Sequence, residues 1–326
     1  MKLGIDAMSG DLGSRIVVEA CLSFLEKNKT DELYVVGKIE ELEALKPYDQ
    51  VTLIDAREVL EMTENILAIR RKKESSMVKT MMLARKGEVD AVLSCGNTGA
   101  YYASAMLFLK RIEGVEKSCL MAMMPTYSDN KVAMLDVGAN SENTAEQLKS
   151  FAIMGNAYAK NVLKITNPKI ALLNIGTESK KGDEAHQQAY QLLQASDRLH
   201  FVGNVEGRDI LSGDYDVVVT DGFSGNIALK TCEGVASTLM KMIKESMMSS
   251  LKGKIGALLA KSSLYSLKEK FDYKSVGGAL MMGFEKAVVK AHGASDAKAF
   301  CNAMDLAYQM VKMDVVSQMK EGLSQK

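Results

Sequence analysis

The sequence has no run of eighteen apolar residues, no Cys-x-x-Cys pair, no net charge and almost no proline. Each absence removes a class of protein. Without the long apolar run, nothing reads as a membrane-spanning helix, and the opening "MKLGIDAMSG" goes straight into a strand pattern with no secretory-signal character. Five cysteines, Cys21, Cys95, Cys119, Cys232 and Cys301, are widely spaced and odd in number, so neither a disulfide framework nor a zinc knuckle is indicated, and reduced thiols in a cytoplasmic protein are expected. Forty-one basic side chains against 41 acidic ones argue against a general nucleic-acid binder, whose affinity comes from clustered Lys and Arg. His186, His200 and His292 are too scattered for metal-ligand spacing, so no metal and no cofactor is expected. Only Pro47, Pro125 and Pro168 punctuate the chain, and no internal repeat or low-complexity linker is visible.

What is present is an alternation of short β-rich runs with helical patterns. Strands are predicted at Lys2–Asp6, Glu32–Gly37, Val51–Asp55, Asp90–Ser94, Cys119–Met124, Lys131–Gly138, Lys169–Gly176, Leu199–Val205 and Tyr215–Gly222. Helices are predicted at about Ser14–Lys27, through Leu45, and in one long amphipathic stretch from about Ile66 to Lys86. With 326 residues, 47% of them apolar, this pattern predicts a three-layer α/β/α fold around a mostly parallel sheet, one unit of two lobes sharing a cleft.

Five of the strands end alike, in "SCGNTG", "DVGAN", "NIGTES", "GNVEGRD" and "DGFSGN". Ligands on open α/β sheets bind outside the carboxyl ends of strands, where these small polar residues are expected. In "VLSCGNTGAYYASAMLF" (Val92–Phe108), Gly96 and Gly99 flank Asn97 and Thr98 between a strand and a helix. Such a turn offers backbone N–H groups at the positive end of a helix dipole, a site for a small anion. Neither a Walker loop nor a Gly-x-Gly-x-x-Gly pyrophosphate fingerprint accompanies it. That places a nicotinamide-dependent hydroxy-acid dehydrogenase low among the rivals. Cys95 lies in the same turn and is expected to be a buried structural thiol rather than a nucleophile. In "NIGTESKKGDE" (Asn174–Glu184), Lys181 precedes a helix start, where its charge opposes the dipole, so a role beside a bound anion or developing oxyanion is favoured. His292, before a Ser-Asp cap, is placed at the strand-end cleft.

Two stretches point outward. "RRKKESS" (Arg70–Ser76) is a charge run on a helix, a solvated face or a dock for an acidic partner. Residues Val235–Asp272 lose all strand character, with Met240, Ile243, Met247, Met248, Leu251, Ile255, Leu258 and Leu259 at near-helical spacing among lysines. They are expected to form two helices joined near Lys252–Lys254, for dimer contact, membrane contact or both.

Taken in order, "IDAMSGD", "RRKKESSM", "VDAVLSCGNTGA", "LDVGAN", "LLNIGTESKKG", "FVGNVEGRDIL", "DGFSGN" and "AHGASDA" resemble the bacterial acyl-acyl-carrier-protein:phosphate acyltransferases of phospholipid synthesis, over nearly the whole chain. The resemblance implies a fold like that of isocitrate and isopropylmalate dehydrogenases and a homodimer that associates peripherally with the membrane. It also implies transfer of a fatty acyl group from acyl carrier protein to inorganic phosphate, the product feeding a glycerol-3-phosphate acyltransferase. The family's first turn usually reads Gly-Gly-Asp-His-x-Pro; here Ser9, Leu12 and Ser14 replace Gly, His and Pro, so a role for that His is not carried over. For this chemistry the turns Gly96–Gly99 and Gly138–Asn140 are expected to hold phosphate, with Asn174 and Gly176 beside them. Lys181 balances charge, and Asn226, expected to cap the helix after "DGFSGN", donates to substrate. Asp6, Asp136 and Asp221 orient the loops, since carboxylates beside phosphate would repel it.

Overall fold

The computed structural model of the chain describes residues 1–65, 67–271 and 277–324. Its first half runs β1 (Lys2–Asp6), α1 (Ser14–Lys27), β2 (Glu32–Gly37), two short 3-10 turns, β3 (Val51–Asp55), α2 (Ala68–Arg71), α3 (Ser76–Arg85), β4 (Ala91–Ser94) and α4 (Thr98–Phe108). There follow β5 (Cys119–Pro125), β6 (Lys131–Leu135), α5 (Ala145–Asn161), β7 (Lys169–Asn174), α6 (Glu184–Gln194), β8 (His200–Glu206) and β9 (Val217–Val219). The chain closes with α7 (Gly222–Met248), α8 (Leu251–Leu259), α9 (Lys261–Phe271), β10 (Ala279–Met282), β11 (Ala287–Lys290), α10 (Ala297–Lys312) and α11 (Val315–Ser324).

All eleven strands join one sheet, in the order β3-β2-β1-β4-β11-β10-β5-β6-β9-β7-β8. Side chains alternate across it as the pleat requires. Leu3, Ile5 and Leu93 enter a core with Phe24, Phe151 and Met304 of α1, α5 and α10, while Val92, Met134 and Val218 enter a second core with Met77, Met81 and Tyr101 of α3 and α4. The expected α/β/α layering of a mostly parallel sheet is therefore present.

Three pairings in succession, β11–β10, β10–β5 and β5–β6, are antiparallel. Three reversals leave β6, β9, β7 and β8 running opposite to β1, β4 and β11. The five polar strand ends therefore do not share one edge: that of β4 lies on one side of the sheet and those of β6, β7, β8 and β9 on the other. The sequence reading joined them because nothing local encodes strand direction. It also passed over β10 and β11, each only four residues long and lacking alternation.

Two helical expectations change. Instead of one helix from Ile66 to Lys86, α2 and α3 are separate; Ile66 itself lies outside the described residues. The chain breaks at Ser75, which makes an isolated bridge with Glu58, and the Ser76 N–H donates to the Glu58 carbonyl. Beyond Val235 there are three helices, not two. The breaks fall at Ser249–Ser250, where the Ser250 hydroxyl caps α8 by accepting from the Gly253 N–H, and at Ala260. Asp272 lies outside the described residues. α8 and α9 pack chiefly on α7 and on each other, leaving Leu251, Leu258 and Leu259 71–81% exposed.

Candidate active site

The polar residues singled out in the sequence gather into two clusters. The first stands at the ends of β1, β4 and β11. The buried Asp6 carboxylate accepts from the Met8 and Ser9 N–H groups and, at 2.7 Å, from the Ser94 hydroxyl. Ser94 Oγ in turn accepts from the Gly96 N–H at 3.0 Å. Asp6 therefore fixes the Gly96 turn through Ser94, the orienting role expected of it. Asn97 caps α4, its Oδ1 accepting from the Ala100 N–H at 2.8 Å, and its Nδ2 donates to the Met62 carbonyl. The Asn97 oxygen is spent on the cap and one Nδ2 N–H on Met62, which leaves its second Nδ2 N–H as the only side-chain donor it can offer an anion. What remains open is backbone: among the described residues no acceptor meets the N–H groups of Asn97, Thr98 and Gly99, and Thr98 and Gly99 are exposed.

Cys95 beneath the turn is buried, donates to the Ser9 carbonyl and is pushed up to about 12 by burial, so it is a structural thiol. His292 closes the cluster. Burial lowers its imidazole below the ordinary value, and the charges of Lys230 and Lys290 lower it further. Its Nδ1 accepts from the Ala294 N–H at 3.1 Å.

The second cluster stands at the ends of β6, β7 and β9. Asp136 accepts five donors: the N–H groups of Leu120, Gly138, Ala139 and Asn140, and Asn140 Nδ2 at 2.7 Å. Burial pushes its carboxyl up, against the pull of those donors. Because the amides of Gly138, Ala139 and Asn140 all turn inward to Asp136, the turn they form cannot present them to phosphate, contrary to expectation. Nor does Asn226 cap the following helix. Asp221 does, accepting from the Ser224 N–H at 2.8 Å, and Asn226 lies in the second turn of α7, exposed and close against Gly138. The glycines of "DGFSGN" serve packing: a methyl at Gly222 would fall on the Asn140 carbonyl oxygen and one at Gly225 on that of Asp136.

Asn174 is likewise spent on its own loop. Its Nδ2 donates to the Lys181 carbonyl at 3.1 Å and its Oδ1 accepts from the Ile175 N–H. It positions the backbone of Lys181. Gly176 clears the way for the exposed Lys181 side chain, since a methyl there would lie 3.0 Å from Lys181 Cγ.

His186 was missed in this role, having been weighed in the sequence only as a metal ligand. Its Nδ1 lies 2.7 Å from Asp183 Oδ1 and its Nε2 3.5 Å from Asp221 Oδ2. The Asp221 contact, then Asp183, raises its imidazole above the ordinary value against burial. Burial alone would raise Asp221, but His186 and the Ser224 N–H outweigh it and hold the carboxyl at about 2. The only local signal was "GDEAH", an N-cap with His three residues on; Asp221 is far away in sequence. Asn143, Asn174, Asp183, His186, Asp221 and Phe223 line a cleft of about 860 Å³ here.

Two helices connect the clusters. α4 begins in the first, and its Tyr102 hydroxyl reaches Asn140 Oδ1 of the second at 3.3 Å. α7 begins in the second, and one face of it carries Phe223, Asn226 and Lys230 toward the first, where the charge of Lys230 is felt by Lys290 and His292.

Over residues 1–318 the chain matches the family described as "Fatty acid synthesis protein". It belongs to that family. It is 46% identical over 323 residues to a phosphate acyltransferase of Lysinibacillus sphaericus, covering 98% of each chain, and 45% identical over 324 residues to one of an Exiguobacterium species, again with 98% of each covered. The resemblance read from the motifs is thereby upheld. Among solved structures, a phosphotransacetylase from Streptococcus pyogenes aligns with a TM-score of 0.55 at 18% identity, covering 99% of this chain and 94% of that one. A chain described as a 4-hydroxythreonine-4-phosphate dehydrogenase from Salmonella typhimurium aligns with a TM-score of 0.51 at 13% identity, covering 95% and 98%. At such identities these two establish the fold alone, and it is the dehydrogenase-like α/β fold expected.

Proposed function

We propose that this chain transfers a fatty acyl group reversibly from the thioester of an acyl carrier protein to inorganic phosphate, giving acyl phosphate for phosphatidic acid synthesis. Membership in the family makes it an acyltransferase of lipid synthesis, and its relatives' name supplies phosphate as acceptor. The observation that carries the site assignment is the start of α4, where three backbone N–H groups meet no acceptor among the described residues and Thr98 and Gly99 are exposed. Near neutral pH phosphate is a mixture of monoanion and dianion, and the dianion needs little help from a base. Its oxygen attacks the thioester carbon, the tetrahedral oxyanion collapses, the C–S bond breaks, and the thiolate leaves to take up, through water, the proton that the phosphate gives up. Positioning contributes up to about 7–11 kcal/mol in such reactions, and one well-aimed oxyanion donor roughly 2.7–4 kcal/mol. Asn226, midway along the α7 face, donates to the thioester oxygen, and Lys181 reaches over Gly176 to balance the charge that develops.

In this reading the chain works as two lobes of one unit either side of the cleft, as a homodimer. Arg70, Arg71 and Lys73, exposed at α2, meet the acidic carrier. The apolar faces of α8 and α9 serve the dimer or a peripheral membrane contact that brings product to a glycerol-3-phosphate acyltransferase. No helix among the described residues is long and apolar enough to cross a membrane.

The test is incubation with palmitoyl acyl carrier protein and phosphate, trapping acyl phosphate with hydroxylamine, beside the same assay with palmitoyl-coenzyme A. Absence of acyl hydroxamate with either donor sinks the reading, and turnover with the coenzyme alone replaces the carrier by a coenzyme A donor. Lys181→Ala should lower turnover roughly 10²- to 10³-fold at saturating donor, with unfolding unchanged.

A further inference from the structure

Lys290, the last residue of β11, pairs in register with Ser94 and is 6% exposed. A buried ammonium is costly unless an opposite charge meets it. Among the described residues no carboxylate lies within ion-pair distance of its Nζ, and its hydrogen bond goes to the carbonyl of the next residue, Ala291. Two of its three N–H donors are unused. The nearest acids do not resolve this. Asp6 is already occupied by Met8, Ser9 and Ser94, and Asp11 is exposed. Lys230 adds a second positive charge instead of cancelling the first, though it is itself paired with Glu233 at 2.8 Å. The site thus holds a buried ammonium with donors to spare, a second cation on α7 that pairs with Glu233, and the open amides of α4, while the Asp6 carboxylate attracts Lys290 only from beyond ion-pair distance.

We propose that Lys290 is a direct ligand of the phosphate nucleophile, the anion taking its unused N–H donors while the α4 amides hold the opposite oxygens. This rests on the reading above, in which phosphate binds at the start of α4. The titration of the group agrees with it. Burial pulls Lys290 down to about 8, with Lys230 lowering it and Cys95, Asp6 and Asp11 raising it. Without an anion the ammonium therefore loses its proton as pH rises through about 8, and phosphate binding above that pH requires proton uptake. Phosphate itself is fully dianionic there, so its own ionisation predicts no such weakening.

The experiment compares wild type, Lys290→Met and Lys290→Arg for thermal unfolding against orthophosphate and for half-saturation of turnover by phosphate, at pH 7 and pH 9. Phosphate should raise the wild-type midpoint. Lys290→Met, relieved of a buried charge, should unfold at or above the wild-type temperature in phosphate-free buffer. It should also need at least tenfold more phosphate in both measurements. In wild type the phosphate requirement should rise severalfold from pH 7 to pH 9, and in Lys290→Arg it should stay level. A folded Lys290→Met with wild-type phosphate saturation overturns the proposal and leaves Lys290 as a counter-charge to Asp6. Should that variant not fold, a flat pH dependence in wild type overturns it equally. A wild type stabilised by phosphate through Lys290 yet forming no acyl phosphate would instead refute the functional reading and leave the ligand assignment standing.

Discussion

The two polar clusters are built from the same residue types, yet they treat their hydrogen-bonding groups in opposite ways. At β6, β7 and β9 the inventory closes on itself. Asp136 absorbs a whole turn of amides, Asp221 caps α7 and holds His186, and Asn174 ties down the loop carrying Lys181. At β1, β4 and β11, Asp6 and Ser94 brace a turn whose next three amides meet no acceptor among the described residues, and the lysine paired in register with Ser94 is buried with donors to spare. A closed network makes a scaffold, and an open one keeps donors unspent. Resemblance between "DVGAN" and "CGNTG" in sequence hides this, because which amide faces which carboxylate is decided only when the loops fold.

The comparison breaks first at its tightest packing. Gly222→Ala should destabilise the closed cluster most, by roughly 1–3 kcal/mol or more, because a backbone oxygen cannot yield to the added methyl; denaturant unfolding measures it, and an unchanged midpoint would show the second cluster to be looser than described. Next, Asp221→Asn should lower the His186 pKa, read from ring proton shifts. His186 is raised above 6.5, so its attraction stabilises fully below that pH and fades as pH climbs through the folded value. Asp221, held at about 2 against 3.8, stabilises above the ordinary range and loses that contribution as acid brings pH toward 2. The stability gap between wild type and Asp221→Asn should therefore be widest between these limits and narrow on either side. The smallest effect belongs to the open cluster: Asn97→Ala removes an N-cap, worth about 1 kcal/mol. It should weaken phosphate binding only modestly, since the cap aligns the amides without contacting the anion. A large loss of binding with unchanged stability would return Asn97 to the role of direct ligand.

Much of this was legible in the order of residues. β1, α1, β2 and β3 fall where period and composition place them, because each is a local pattern bounded by Gly, Asn or Asp. That Gly96–Gly99 joins a strand to a helix followed from strand, glycine and helix in sequence. Opposed strand directions were not legible, since they depend on β10 and β5 pairing antiparallel across more than a hundred residues. Lys290 looked like one more lysine until β11 put it beside Ser94, and His186 like a stray histidine until β9 delivered Asp221 to its ring. Lys181 was picked out by a local electrostatic conflict at a helix start, a signal that survives without the fold.

α7 is 27 residues long, about 40 Å of unbroken hydrogen-bonded rod. Its first turn forms a wall of the cleft, and its far end bears the exposed apolar arm of α8 and α9. No hinge separates these duties, so any surface that seizes the arm is gripping the same beam on which Asn226 is mounted.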